Sequence, residues 1–237
     1  MTGGMVAASN GHRLTMQPPK VFVFDVNETL SDLSSLGARF VEVGAPAPLS
    51  SVWFASVLRD GFALSVAGQH PAFGEVAREV ARHLLSQVQL NRSLDEATDQ
   101  VMQGLAELQV HPDVGPGILR LVDQDRRVVT LSNGPASVAE ALLTRAGLDH
   151  HFERLLSVED AEAWKPDARA YAYAAEVCGV EPAEVMLVAV HPWDIDGAMR
   201  TGLQTAWVDR TNAHYPTVFE APTCRVGDLE GLAALWE

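Results

Sequence analysis

The chain has 237 residues, 47% of them hydrophobic, and its 31 acidic against 17 basic residues give a formal charge of −14. That length and apolar content allow one large domain, or one domain with an insert, and exclude a globally disordered chain. The acidic balance argues against a nucleic-acid or anionic-membrane partner, and no apolar run approaches the length of a membrane span, while a small anionic substrate in a locally positive pocket stays compatible.

The opening, MTGGMVAASNGHRLTMQPPK, is polar and Gly-rich. Residues 1–19 read as a flexible leader rather than a signal peptide, so a cytoplasmic location is expected. A buried strand follows over residues 21–26, in VFVFDVNETLSD. From about Leu30 to His111 strand signals are missing. Helical patterns replace them: LSSVWFASVLRDGFALSVAG, FGEVAREVARHLLSQV and SLDEATDQVMQGLAEL. The last has Ser93 with Glu96 three residues later, a capping-box signature. Residues 31–111 are therefore expected to form a helical cap inserted into a core built from residues 20–30 and 112–237. Strands are expected at 128–132, 155–158, 185–190 and 205–208, with a weaker sixth at 224–226. Between them, PASVAEALLTRAGL puts Val138, Ala141, Leu142 and Ala146 on one stripe and stops at Gly147, and PDARAYAYAAEVCG stops at Gly179. This alternation predicts an α/β fold: a parallel sheet with helices on both faces. Cys178 and Cys224 stand in no metal-type spacing, so neither a disulfide framework nor a zinc site is expected.

Ligands of open parallel sheets bind at the carboxyl ends of the strands. The polar residues there are Asp25, Asn27 and Thr29 after the first strand, and Ser132 and Asn133 at the end of the second. Lys165 lies a few residues beyond the third. His191, Trp193, Asp194 and Asp196 follow the fourth. One polar strand end is an ordinary helix cap. Four that converge, with a lysine and two acids among them, point to chemistry.

This set resembles the haloacid dehalogenase superfamily. DVNETL is similar to its first motif, a nucleophilic Asp with Thr four residues on. TLSNG is similar to the second, Lys165–Pro166 to the third, and PWDIDGA leading to GLQTAWVDR to the fourth. The resemblance implies a Rossmann-like core with an inserted helical cap. It implies Asp25 as a nucleophile that forms a covalent intermediate. Lys165 would hold Asp25 ionised, and Thr29 would steady the turn. Ser132 and Asn133 would donate to substrate oxygens. Asp194 would orient Lys165 or help to activate water.

The superfamily contains two chemistries. Its Mg²⁺-dependent phosphatases resemble D-x-D-x-T at the first motif and carry a further acid at the fourth. Here Asn27 and Ala189 occupy those positions, so the metal site looks under-supplied, even if Asp196 partly compensates. The type II L-2-haloacid dehalogenases need no metal. They resemble this chain in Trp193–Asp194 and in Tyr171, six residues after Lys165. That branch implies attack of Asp25 on carbon, loss of halide from a small 2-haloalkanoic acid, and hydrolysis of an ester, with no cofactor. The chain departs from its motifs at Asn27, Glu28, Ala189 and His191. The branch's cap arginine follows a tryptophan, whereas Trp53 is followed by Phe54. Arg59 or Arg39 could substitute for that arginine, Phe54 could line the leaving-group pocket, and His191 could contact halide or donate a proton. A Mg²⁺-dependent phosphatase of a small phosphomonoester and a catalytically weak binding module stay open as alternatives. The apolar cap helices allow a homodimer.

Overall fold

Strand β1 (Val21–Phe24) consists of four apolar residues with no exposure to solvent. Such a strand is stable only with both faces covered, and the rest of the chain supplies the cover. The structure is a computed structural model that describes residues 18–236. All but the last two positions of the expected leader lie outside the described residues.

After β1 come β2 (Ser31–Asp32), helices α1 (Leu36–Glu42), α2 (Leu49–Val66), α3 (Phe73–Leu85) and α4 (Leu94–Ala106), and β3 (Gln109–Val110). β2 and β3 pair antiparallel, Ser31 opposite Val110, at the neck where the chain leaves the core and returns. This ribbon corrects the expectation of no strand there; two residues per strand leave no periodicity to read. The chain continues through α5 (Val114–Asp123), β4 (Arg127–Ser132), α6 (Ala136–Ala146), β5 (Arg154–Ser157), α7 (Val158–Ala161), α8 (Ala168–Cys178), β6 (Val185–Ala189), α9 (Pro192–Arg200), β7 (Gln204–Val208), β8 (Cys224–Val226) and α10 (Leu229–Ala234).

The six-stranded sheet has the order β5-β4-β1-β6-β7-β8, all parallel. Its helices lie on both faces, with α5 against α10 and α8 against α9. From β1 the chain steps outward to β4 and β5, then returns to β6 on the other side. This reversal leaves a crevice beside β1 at the carboxyl edge. Gly147 and Gly179 end α6 and α8 in the left-handed region, at φ 70° and 65°, as their sequences predict. The expected stripe on α6 is rotated: Ala139, Leu142 and Leu143 are buried, while Val138 is exposed.

The cap helices α1–α4 pack on one another. α3 buries Phe73, Val76, Ala77, Val80 and Ala81 at helical spacing. Trp53 of α2 is fully buried and donates its indole N–H to Ala77 O at 2.9 Å. Ser93 and Glu96 form the capping box of α4. One core side chain grips the cap: Trp164 donates its indole N–H to Pro71 O at 2.9 Å and stacks on Phe73 at 5.8 Å between centroids. Gly61 of α2 makes room for it, since a Cβ there would lie 2.1 Å from Trp164 Cζ3. Among the described residues no helix is long and apolar enough to cross a membrane.

Candidate active site

Asp25 directly follows β1, and its amide donates to Val188 O at 3.0 Å, which extends the ladder toward β6. The chain then turns sharply. Glu28 adopts φ 63°, and the amides of Leu30 and Ser31 both donate to Val26 O. This turn brings Thr29 back over Asp25. The Thr29 hydroxyl donates to Asp25 Oδ2 at 2.6 Å and accepts from the Val190 amide at 3.1 Å. Arg210, paired with Asp113, donates to Thr29 O at 3.0 Å and anchors the turn from β7.

Lys165 enters from the loop after α7. Its amide donates to Asn133 Oδ1 at 2.9 Å, and Asn133 Nδ2 donates to Lys165 O at 3.3 Å. Both ends of the Asn133 amide thus hold the lysine main chain. The expected donation to substrate is left to the second Nδ2 hydrogen. Ser132 Oγ accepts from the Gly134 amide at 2.9 Å. The Lys165 ammonium has no exposure to solvent; it donates to Asp25 Oδ1 at 2.8 Å and to Asp194 Oδ2 at 2.6 Å. Tyr171, also fully buried, donates to Asp194 Oδ1 at 2.7 Å. Gly197 permits that contact, since a Cβ there would lie 2.6 Å from the tyrosine oxygen.

Burial works against the lysine charge, but the Asp194 and Asp25 carboxylates outweigh it and hold the ammonium above the ordinary lysine range. Burial, reinforced by Asp194, pushes the Tyr171 phenol well up, so it stays a donor. Burial also raises the Glu28 carboxyl, against the pull of His191.

The His191 imidazole presents Nε2 to Asn27 O at 3.2 Å, to Glu28 Oε2 at 3.6 Å and to Asp25 Oδ2 at 3.8 Å. Trp193 stacks on it at 5.1 Å and Phe54 of the cap at 6.2 Å, and the Trp193 ring lies 5.9 Å from the lysine nitrogen. Asn27 contributes its main chain here; the residue lines a small cleft with Leu105, Leu108 and Val138. Arg59 is not brought to the cluster. It pairs with Asp60 on the exposed cap surface and lines a separate groove between α2 and α3. Arg39 likewise pairs with Glu42 and Glu107. The sequence reading missed Trp164, whose only signal was its place next to Lys165, and named Glu28 only as a departure.

A divalent cation does not fit this donor set. It would need Asp25 and Asp194 as ligands, yet the ammonium lies between them and takes one oxygen from each. Thr29 and Tyr171 hold the other two oxygens. Asp196 binds Arg200 and the Glu220 amide instead.

The fold and site together define a capped α/β protein with a buried carboxylate–ammonium–carboxylate centre at the switch point of its sheet. The family model for haloacid dehalogenase-like hydrolases matches residues 19–202, and the chain belongs to that family. It is 32% identical to (S)-2-haloacid dehalogenase 4A of Burkholderia cepacia over 190 residues, 79% of this chain and 82% of that protein. It is 28% identical to (S)-2-haloacid dehalogenase H-109 of Pseudomonas putida over 217 residues, 90% of this chain and 96% of that protein. The solved structure of L-2-haloacid dehalogenase from Xanthobacter autotrophicus with chloropropionic acid covalently bound superposes with a TM-score of 0.83 at 27% identity, covering 92% of this chain and 98% of that one.

Proposed function

We propose that this enzyme is a metal-independent (S)-2-haloacid dehalogenase. Asp25 attacks the halogen-bearing carbon of a small 2-haloalkanoic acid and expels halide. Water then cleaves the resulting ester and regenerates the carboxylate. The observation that carries this reading is the Lys165 ammonium bound at once to Asp25 and Asp194. An ammonium in that place supplies the positive charge that orients a carboxylate nucleophile, and Asn27 and Ala189 leave out the carboxylates a phosphatase would use for Mg²⁺. The (S)-2-haloacid dehalogenases to which the chain is similar, one solved with a covalently bound substrate, support it further.

Each residue has a role in this scheme. Thr29 and Lys165 fix the two oxygens of Asp25 for in-line attack. Asp194, held by Tyr171, keeps Lys165 in place. Ser132 donates its hydroxyl to the substrate carboxylate. Phe54, Trp193 and the His191 ring form an apolar wall around the reacting carbon and the halide. Residues 20–30 and 112–237 serve as the catalytic core, and residues 31–111 as the cap. Unpaired, buried Cys178 and Cys224 support a cytoplasmic location.

Single-turnover reaction in ¹⁸O-water with enzyme in excess tests the mechanism. The label is expected in the Asp25 side chain, with unlabelled oxygen in the hydroxy acid. Label found directly in product would make water the nucleophile and overturn the scheme.

A further inference from the structure

Hydrolysis of an aspartyl ester needs a base within reach of a water beside the ester carbonyl carbon. Asp194 is poorly disposed for that work. It is fully buried, with Lys165 on one oxygen and Tyr171 on the other. A second carboxylate faces the nucleophile. Glu28 stands in the turn after Asp25 at φ 63°, in the left-handed region where a glutamate is strained and a glycine would not be. Strain of this kind persists where the surroundings enforce it, and it clusters at functional sites.

The surroundings of Glu28 are specific. Its Oε2 lies 3.6 Å from His191 Nε2, and the same nitrogen lies 3.8 Å from Asp25 Oδ2. The Asn27 carbonyl, 3.2 Å from that nitrogen, can only accept, so Nε2 carries its hydrogen. The Nε2 hydrogen thus goes to Asn27 O, the two carboxylates flank the same nitrogen at ion-pair distance, and the ring is held by Phe54 and Trp193. Glu28 and His191 both line a cavity of about 570 Å³ that extends toward Asp32 and Arg210. The cavity opens Glu28 and His191 to water.

Resting on the dehalogenase reading, we propose that Glu28 is the general base of ester hydrolysis, with His191 as its positioning residue. The carboxylate takes a proton from water as the water oxygen bonds to Cγ of esterified Asp25. The tetrahedral adduct collapses with cleavage of the bond from Cγ to the substrate oxygen. The departing alkoxide takes the proton from Glu28 and leaves as the hydroxy acid. Asp25, released as a carboxylic acid, passes its proton to the regenerated Glu28 carboxylate, which returns it to solvent through the cavity. Charge favours this order of events. Burial, opposed by His191 and reinforced by the Asp25 charge, holds the Glu28 carboxyl above its usual range. Esterification removes the Asp25 charge, so Glu28 ionises more readily in the state that needs a base. The other charged and titrating groups around it are His191, His111 at its carbonyl, Asp32 and Arg210.

The test uses the full chain with Glu28→Gln and Glu28→Gly, (S)-2-chloropropionate as probe, and rapid-quench assays of chloride and lactate. Both variants are expected to release one chloride per site at the wild-type rate and to form lactate about 100-fold more slowly. Mass spectrometry of the Asp25 peptide is expected to show the accumulated ester. The acidic limb of lactate formation should disappear in Glu28→Gln, while the pH profile of the chloride burst stays as in wild type. Glu28→Gly relaxes the backbone, which separates loss of the base from loss of the fold. Lactate formed at the wild-type rate by either variant, or chloride and lactate slowed together, overturns the role of Glu28 and leaves the dehalogenase reading standing. Wild-type enzyme that releases no chloride overturns both.

Discussion

Lys165 is a cation sealed from water between two acids, and its environment tolerates no half-measures. A buried charge is held by its partners, and removing one partner strands the others. Lys165→Met is therefore expected to destabilise the protein by about 3–5 kcal/mol, read as a shift of the urea midpoint. Asp25→Asn keeps shape and most hydrogen bonds. It should stay folded by circular dichroism and lose several orders of magnitude in halide release, since the nucleophile itself is gone. The sign of the pH effect follows from the raised lysine value. Stability contributed by the ammonium is complete below the ordinary lysine value of about 10.4 and fades as pH rises through the higher folded value. Denaturant titrations between about pH 7 and pH 11 should show that contribution intact at neutrality and failing only in strong alkali. Asp25 and Asp194 were legible in the sequence because each follows a strand of plain apolar character, and Lys165, in the loop after α7, through the resemblance of its motif. Their division of labour was not: the hydrogen bonds that make Asn133 a seat for Lys165 connect positions 32 residues apart.

At the scale of the element, the readable features were those with a local cause. The capping box of α4 and the glycine stops of α6 and α8 stand where the sequence placed them. The strands were recognisable because burial on both faces leaves no polar alternation. The β2–β3 ribbon is too short to carry a pattern, and the rotated face of α6 is set by what it packs against. Arg59 shows the same boundary. Nothing in its helix says that the side chain turns outward to Asp60. Packing also decides the role of Gly197 in α9. By helix propensity alone, Gly197→Ala should stabilise. With Tyr171 Oη at 2.6 Å and Pro166 Cβ at 2.7 Å from the new methyl group, it is expected to destabilise by about 1–3 kcal/mol instead. Thermal unfolding of the variant checks the sign.

At the scale of the whole molecule, cap and core meet through Phe54 on His191, Phe62 on Trp193 and Phe73 on Trp164. Asn27 and Ala189, where a Mg²⁺ site of this superfamily would put carboxylates, give a direct expectation: turnover of 2-chloropropionate should survive EDTA and gain nothing from added Mg²⁺. Activity that vanishes with chelator and returns with Mg²⁺ would favour a phosphatase. The joint itself centres on Trp164, set in the notch at Gly61 and bonded to Pro71. Its neighbour in the chain is Lys165. Any displacement of α2 from the core at Gly61 would move the indole, and with it the chain segment whose next residue has its main chain seated on Asn133. Trp164 thus ties the seating of the cap to the loop that delivers Lys165, so that one indole holds the position of both.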